Sequence, residues 1–157
     1  MYGRNGPASK TVGMVLMLTK EQVTLVQDSF AAIAPIADDA AALFYRRLFE
    51  IDPRLERMFK GDMAEQRRKL MQMLTAAVKG LDRLAQLVPA VEDLGRRHAS
   101  YGVEDEHYDT VGAALLWTLK KGLGAAFTPE TKEAWATVYG LLASTMKNAA
   151  RKELVEV

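Results

Sequence analysis

Apolar residues return every three to four positions along most of this chain, and proline cuts that rhythm at positions 35, 53, 89 and 129. A 3.6-residue period builds an amphipathic helix, and a proline inside it ends, kinks or restarts the helix. No stretch alternates apolar and polar residues in the manner of a half-buried strand. The pattern therefore predicts an all-α fold of several short to medium helices. No heptad is sustained over the several repeats a coiled coil needs, so the helices are expected to cross and not to run as a bundle.

The helix boundaries can be read from their caps. Thr19-Lys20-Glu21-Gln22 has the form of a capping box, followed by Val23, Val26, Phe30 and Ile33 on one face. A second helix should begin near Pro35 and run to about Phe49, and Asp52-Pro53 should open a short helix holding Leu55 and Met58. The next runs from about Met63 to Lys79, with Gly80 as its stop. Leu84 to His98 follows and is expected to be split by Pro89. Gly102-Val103 reads as a turn, and a helix from about Glu106 to Leu123 comes next. Thr128-Pro129-Glu130 starts the last helix, whose polar end from Lys147 onward is expected to fray or protrude.

Composition narrows the chemistry. The 157 residues include no cysteine, which excludes disulfides, thiolate metal sites and a cysteine nucleophile. A net charge of +1 gives no bulk argument for nucleic acid or an anionic membrane. No apolar run reaches the roughly 18–20 residues of a membrane span. The short apolar run from Val12 to Leu18 is followed by Thr19-Lys20-Glu21-Gln22 where a secretory signal would carry a small-residue cleavage site. Residues 1–17 are therefore read as an extension outside a single domain at 18–157, with Met14 and Met17 available as alternative starts.

Only two histidines are present, His98 and His107. His98 shares a helix face with Val91 and Leu94, and its second ring nitrogen could donate to a carbonyl one turn earlier, near Leu94. Taken alone, such a histidine is more often a satisfied structural residue than a ligand. His107 lies among Glu104, Asp105 and Glu106, which suits a surface position. Tyr45 reads as a core-edge tyrosine, Gln66 as a polar residue near a helix start, and Trp135 with the methionines as core packing.

The ordering of these residues carries more than any one of them. Phe44-Tyr45-Arg46-Arg47-Leu48-Phe49, Asp52-Pro53, Phe59, Gln66, Leu70, Leu94-Gly95-Arg96-Arg97-His98, Gly102-Val103, His107-Tyr108-Asp109-Thr110-Val111-Gly112 and Ala134-Trp135-Ala136-Thr137-Val138-Tyr139-Gly140 occur in a set order and spacing. In that order the chain resembles the bacterial single-domain haemoglobins and the globin domain of flavohaemoglobins, and it is most similar to the Hell's Gate globin group. The likeness covers about Leu18 to Met146. It implies a globin fold of about six to eight helices around a pocket for haem b.

By the same resemblance His98 is the protein ligand to iron, and Phe59 packs flat on the porphyrin. Tyr45 and Gln66 form the distal pair that stabilises O2, with Leu70 between them. Leu94, Val103, Val111 and Leu115 complete the pocket. Lys69 would meet a haem propionate, and Arg96 or Arg97 would do likewise. Tyr108 matches a tyrosine that, in flavohaemoglobins, joins a glutamate in support of the proximal histidine. Counted from Trp135, the glutamate position is Ala150 here, with Glu153 one turn later. The implied function is reversible binding of O2, and of NO and CO, for transport, storage or scavenging in the cytoplasm. One alternative is nitric oxide dioxygenation (NO detoxification) with electrons from a separate flavin-dependent reductase. Another is a gas-sensing regulatory globin. Neither nucleic acid nor membrane is an expected partner.

Overall fold

The computed structural model describes residues 18–156, with side chains to residue 152, so the expectation for residues 1–17 falls outside the described part. Helix α1 (Lys20–Ile33) starts with the capping box: Gln22 N–H donates to Thr19 Oγ1 at 3.0 Å, and Thr19 N–H donates to Gln22 Oε1 at 3.1 Å. Pro35 sits in a 3-10 turn over Ala34–Ile36, and α2 (Ala37–Ile51) follows directly. A second 3-10 turn spans Pro53–Met58, capped by Asp52, which accepts from Arg54 N–H at 3.1 Å.

Helix α3 (Met63–Lys79) is capped by Asp62 and ends at Gly80, from which a 3-10 turn (Gly80–Arg83) leads into α4 (Leu84–Ser100). Helix α5 (Asp105–Leu123) and a turn over Gly124–Ala126 precede α6 (Pro129–Glu156). The described residues contain no strand. No helix among them is long and apolar enough to cross a membrane.

Two expectations are corrected. Pro89 does not split its helix: α4 is continuous from Leu84 to Ser100 with Pro89 inside it. Proline removes one hydrogen bond there, the one its N–H would have donated to the Ala85 carbonyl. The rest of α4 is held by its contact with α6, the most extensive between any two elements, with α2 on α5 next. The closeness of that contact depends on Gly95, where an added Cβ would stand 2.3 Å from the Met146 carbonyl oxygen. Nor does the last helix fray at Lys147: it stays helical to Glu156, with Ala149 buried at 2% exposure, and of the two expected outcomes the exposure of Arg151 and Lys152 accords with a protruding end.

The buried side chains form two groups. The larger includes Val26, Phe30, Phe44, Tyr45, Leu48, Leu115 and Trp135, with Phe59, Leu70 and Val111 packed against it. The smaller consists of Val91, Tyr108, Ala143 and Met146, with Leu94 and Val103 packed against it. Leu87, Tyr139 and Leu142 touch both groups. Trp135 anchors α6 to α1, its indole N–H donating to Ser29 Oγ at 2.8 Å.

Candidate functional site

His98 lies in the last turn of α4, half-buried. Its Nδ1 is 2.9 Å from the carbonyl oxygen of Leu94, one turn earlier, which is the bond the sequence suggested. With Nδ1 donating to that carbonyl, the lone pair resides on Nε2, the nitrogen a metal would need. Burial pulls the His98 pKa below the ordinary 6.5, partly opposed by the Leu94 bond, and the neutral imidazole is the form that can ligate.

The chain then turns back sharply. Val103 N–H donates to the His98 carbonyl at 3.1 Å, and Gly102 N–H donates to the Ala99 carbonyl at 3.0 Å. This is a Schellman closure, and it requires the left-handed backbone of Gly102 at φ 90°. Val103 is thereby carried back to His98, and Leu94 and Val103 come to pack on the same buried group.

Tyr108, on α5, belongs to that group too. Its ring lies 6.5 Å from the His98 ring, centroid to centroid, with the planes inclined by 29°. Tyr139 of α6 donates its hydroxyl to the Tyr108 carbonyl at 2.6 Å. Burial raises the pKa of both phenols. Ala150 is half-buried on α6, and the Glu153 side chain lies outside the described residues.

Tyr45, Gln66, Phe59 and Leu70 come together on the other group of buried side chains. Gln66 Nε2 donates to Tyr45 Oη at 3.1 Å, joining α3 to α2. The amide takes one lone pair of the hydroxyl and leaves the phenolic hydrogen to be aimed elsewhere. The Tyr45 ring meets Phe59 edge-on at 5.4 Å and Phe44 edge-on at 5.0 Å, and Phe49 closes the cluster 5.6 Å from Phe59. Burial raises the Tyr45 pKa, with the Gln66 bond acting the other way, so the hydroxyl keeps its proton and stays a donor.

The charged residues are peripheral. Lys69 is exposed on α3, Arg97 pairs with Asp93 at 3.2 Å, and Arg96 is half-buried beside it. His107 serves the helix start, its Nδ1 accepting from Glu104 N–H at 2.9 Å. The sequence offered Tyr139 only as part of the motif from Ala134 to Gly140 and gave no sign of its bond to Tyr108. The nearest signal was Gly112, which leaves room for that ring: a Cβ there would stand 2.8 Å from it.

Comparisons with known proteins were made with this geometry in hand. A family profile described as Globin matches residues 42–146. The chain is 31% identical over 130 residues to a Flavohemoprotein of Bacillus subtilis, covering 81% of this chain and 33% of that protein. It is 32% identical over 143 residues to a Neuroglobin of Danio rerio, covering 82% of this chain and 90% of that one. Among solved structures, a bacterial globin from Campylobacter jejuni superposes with a TM-score of 0.76 at 28% identity, covering 87% of this chain and 99% of that one. A flavohemoglobin from Malassezia yamatoensis, described with bound FAD and heme, superposes with a TM-score of 0.74 at 26% identity over 88% of this chain and 38% of that one. The chain spans about a third of the length of the flavohemoproteins it matches.

Proposed function

This chain belongs to the globin family, and from that premise we propose that it is a haem protein that reversibly binds O2 and related diatomic gases, with His98 as the iron ligand. The observation that carries the reading is the split of the pocket residues between two buried groups: Tyr45, Phe59 and Leu70 on one, Leu94, Val103 and Tyr108 on the other. A flat apolar group held between them would meet hydrocarbon on both faces.

The donor set fits haem and fits little else. Among the described residues no cluster of three or more His, Cys, Asp or Glu could hold a bare ion. Iron carried in a macrocycle needs only one protein nitrogen, and the lone pair on His98 Nε2 supplies it. With no cysteine in the chain, no thioether link can form, which rules out c-type attachment and accords with haem b.

Held by His98 Nε2, haem would supply the iron chemistry that binds a diatomic gas. The residues of the chain do the rest. Hydrogen-bonding to Leu94 keeps the His98 ring in one tautomer and one orientation. Phe59, Leu70, Val111 and Leu115 exclude water from the gas side, and Leu94 and Val103 do so on the histidine side. Tyr45 aims its hydroxyl proton at the ligand, and Gln66 holds that hydroxyl in place. Each donor aimed at a polarised ligand in a dry pocket is worth roughly 1–3 kcal/mol. Lys69, with Arg96 or Arg97, would neutralise the haem propionates.

The likeness to the flavohemoproteins favours a second reading, nitric oxide dioxygenation fed by a flavin-dependent reductase. The O2 reading is tested by the absorption spectrum after haem reconstitution. A strong Soret band is expected, lost or blue-shifted in His98→Ala and unchanged in His107→Ala. The reverse pattern would move the ligand to His107, and no Soret band in the wild-type protein would end the reading. NO consumption under air with an added flavin reductase, and its absence without O2, separates the dioxygenase from the carrier.

A further inference from the structure

The side of the site that carries His98 holds a cation that none of the roles above employs. Lys147 lies half-buried on α6, and its Nζ stands 5.7 Å from the centre of the Tyr108 ring. At that distance the ammonium is attracted by the ring's electron-rich face. The ring is itself buried, at 7% exposure, and lies 6.5 Å from the His98 ring. The Asp105 carboxylate acts on the Tyr108 phenol, and Asp105 is bound to Arg151 at 2.6 Å. That pair cancels its own charge, whereas the charge of Lys147 is spent on the aromatic ring. On α6, Met146 and Ala143 reach the same buried group, so Lys147 is on the flank of the helix face that packs there.

A positive charge at this position has a definite effect on an iron held by His98. One-electron reduction makes the iron–porphyrin unit more negative by one charge. A fixed cation nearby stabilises the product of that step more than the reactant, and partial burial limits screening by salt. Lys147 and His98 both approach the Tyr108 ring, so the lysine acts on the histidine side through its field and through the ring it holds. We infer that Lys147 is a positioning residue of the histidine side which raises the reduction potential of the bound haem and so favours the ferrous, gas-binding state. The inference rests on the haem reading of the preceding subsection.

The test is an equilibrium titration of the haem-loaded protein with dithionite and redox mediators, in the wild type and in Lys147→Arg, Lys147→Met and Lys147→Glu. The Soret band of each variant reports haem retention, and circular dichroism reports folding. The expected result follows charge: Arg matches Lys, Met lies at lower potential, and Glu lower again by a second step. Equal potentials in all four proteins overturn the inference. Met and Glu shifted alike also overturn it, since packing and not charge would then be responsible. Wild-type protein that takes up no haem overturns the haem reading itself. Haem bound with a potential indifferent to position 147 overturns this inference alone.

Discussion

Replacing Gly95 by alanine sets two effects of known sign against each other. In a helix interior alanine is worth about 1 kcal/mol more than glycine, since it loses less backbone entropy. At position 95 the new Cβ would stand 2.3 Å from the Met146 carbonyl oxygen, 2.5 Å from its Cα and 2.7 Å from its carbonyl carbon. The nearest of these is about 1 Å short of the 3.4 Å at which ordinary contact begins. The obstacle is backbone, which cannot turn aside as a side chain can, so α4 and α6 must part along their whole contact. Overpacking of this kind costs roughly 1–3 kcal/mol and sometimes more.

At the upper end of that range, the net loss is about 2 kcal/mol, or roughly 4–8 °C in the melting temperature of a chain this size. Because α4 carries His98, the same displacement should also speed haem loss. Urea titration of Gly95→Ala and transfer of its haem to an excess of apomyoglobin measure the two effects. Gly140 is the control: a Cβ there meets nothing within 4 Å, so Gly140→Ala should stabilise by roughly 0.5–1 kcal/mol. If Gly95→Ala proves as stable as Gly140→Ala, the close crossing of α4 and α6 does not exist as described.

Other outcomes can be checked. Tyr45→Phe removes the acceptor of the Gln66 amide and the donor aimed at the ligand; if that donor is worth about 1.4 kcal/mol, O2 release by stopped flow accelerates about tenfold. An unchanged rate removes Tyr45 from the gas site. Tyr45, Tyr108 and Tyr139 all hold their protons above the ordinary tyrosine value of 10.0 because they are buried. Their contribution is therefore intact below pH 10 and falls as pH rises further, since the unfolded chain loses those protons first. The urea midpoint should drop between about pH 10 and 11. Tyr139→Phe, although weaker overall through loss of its bond to Tyr108, should show a shallower drop.

How much of this protein was legible in its sequence varies with the range of the forces involved. The capping box at Thr19, the starts at Asp52 and Pro129, and the end of α3 at Gly80 were all readable, because a cap involves only three or four neighbouring residues; the Asp62 cap of α3 was not, its segment reading only as a loop. The bond from His98 to Leu94 was readable for the same reason, one helical turn being fixed by local geometry. Pro89 was misread because its local cost is real but is outweighed by contacts with a helix some fifty residues away. The end of α6 was read in part: its polar residues suggested fraying or protrusion, and the helix persists with Ala149 buried and Arg151 and Lys152 exposed.

By itself, then, the sequence determined that the chain is helical, where most helices begin and end, and which residues its family resemblance singles out. Those properties follow from periodicity, capping and proline, whose effects reach no further than a turn or two. Only the tertiary structure decided that Gln66 holds the Tyr45 hydroxyl across 21 positions, that Tyr139 reaches Tyr108 across 31, and that Lys147 lies over the Tyr108 ring. These pairings depend on how closely the helices cross, and that spacing is set by glycines such as Gly95 and Gly112, whose missing side chains leave no periodic signal to read.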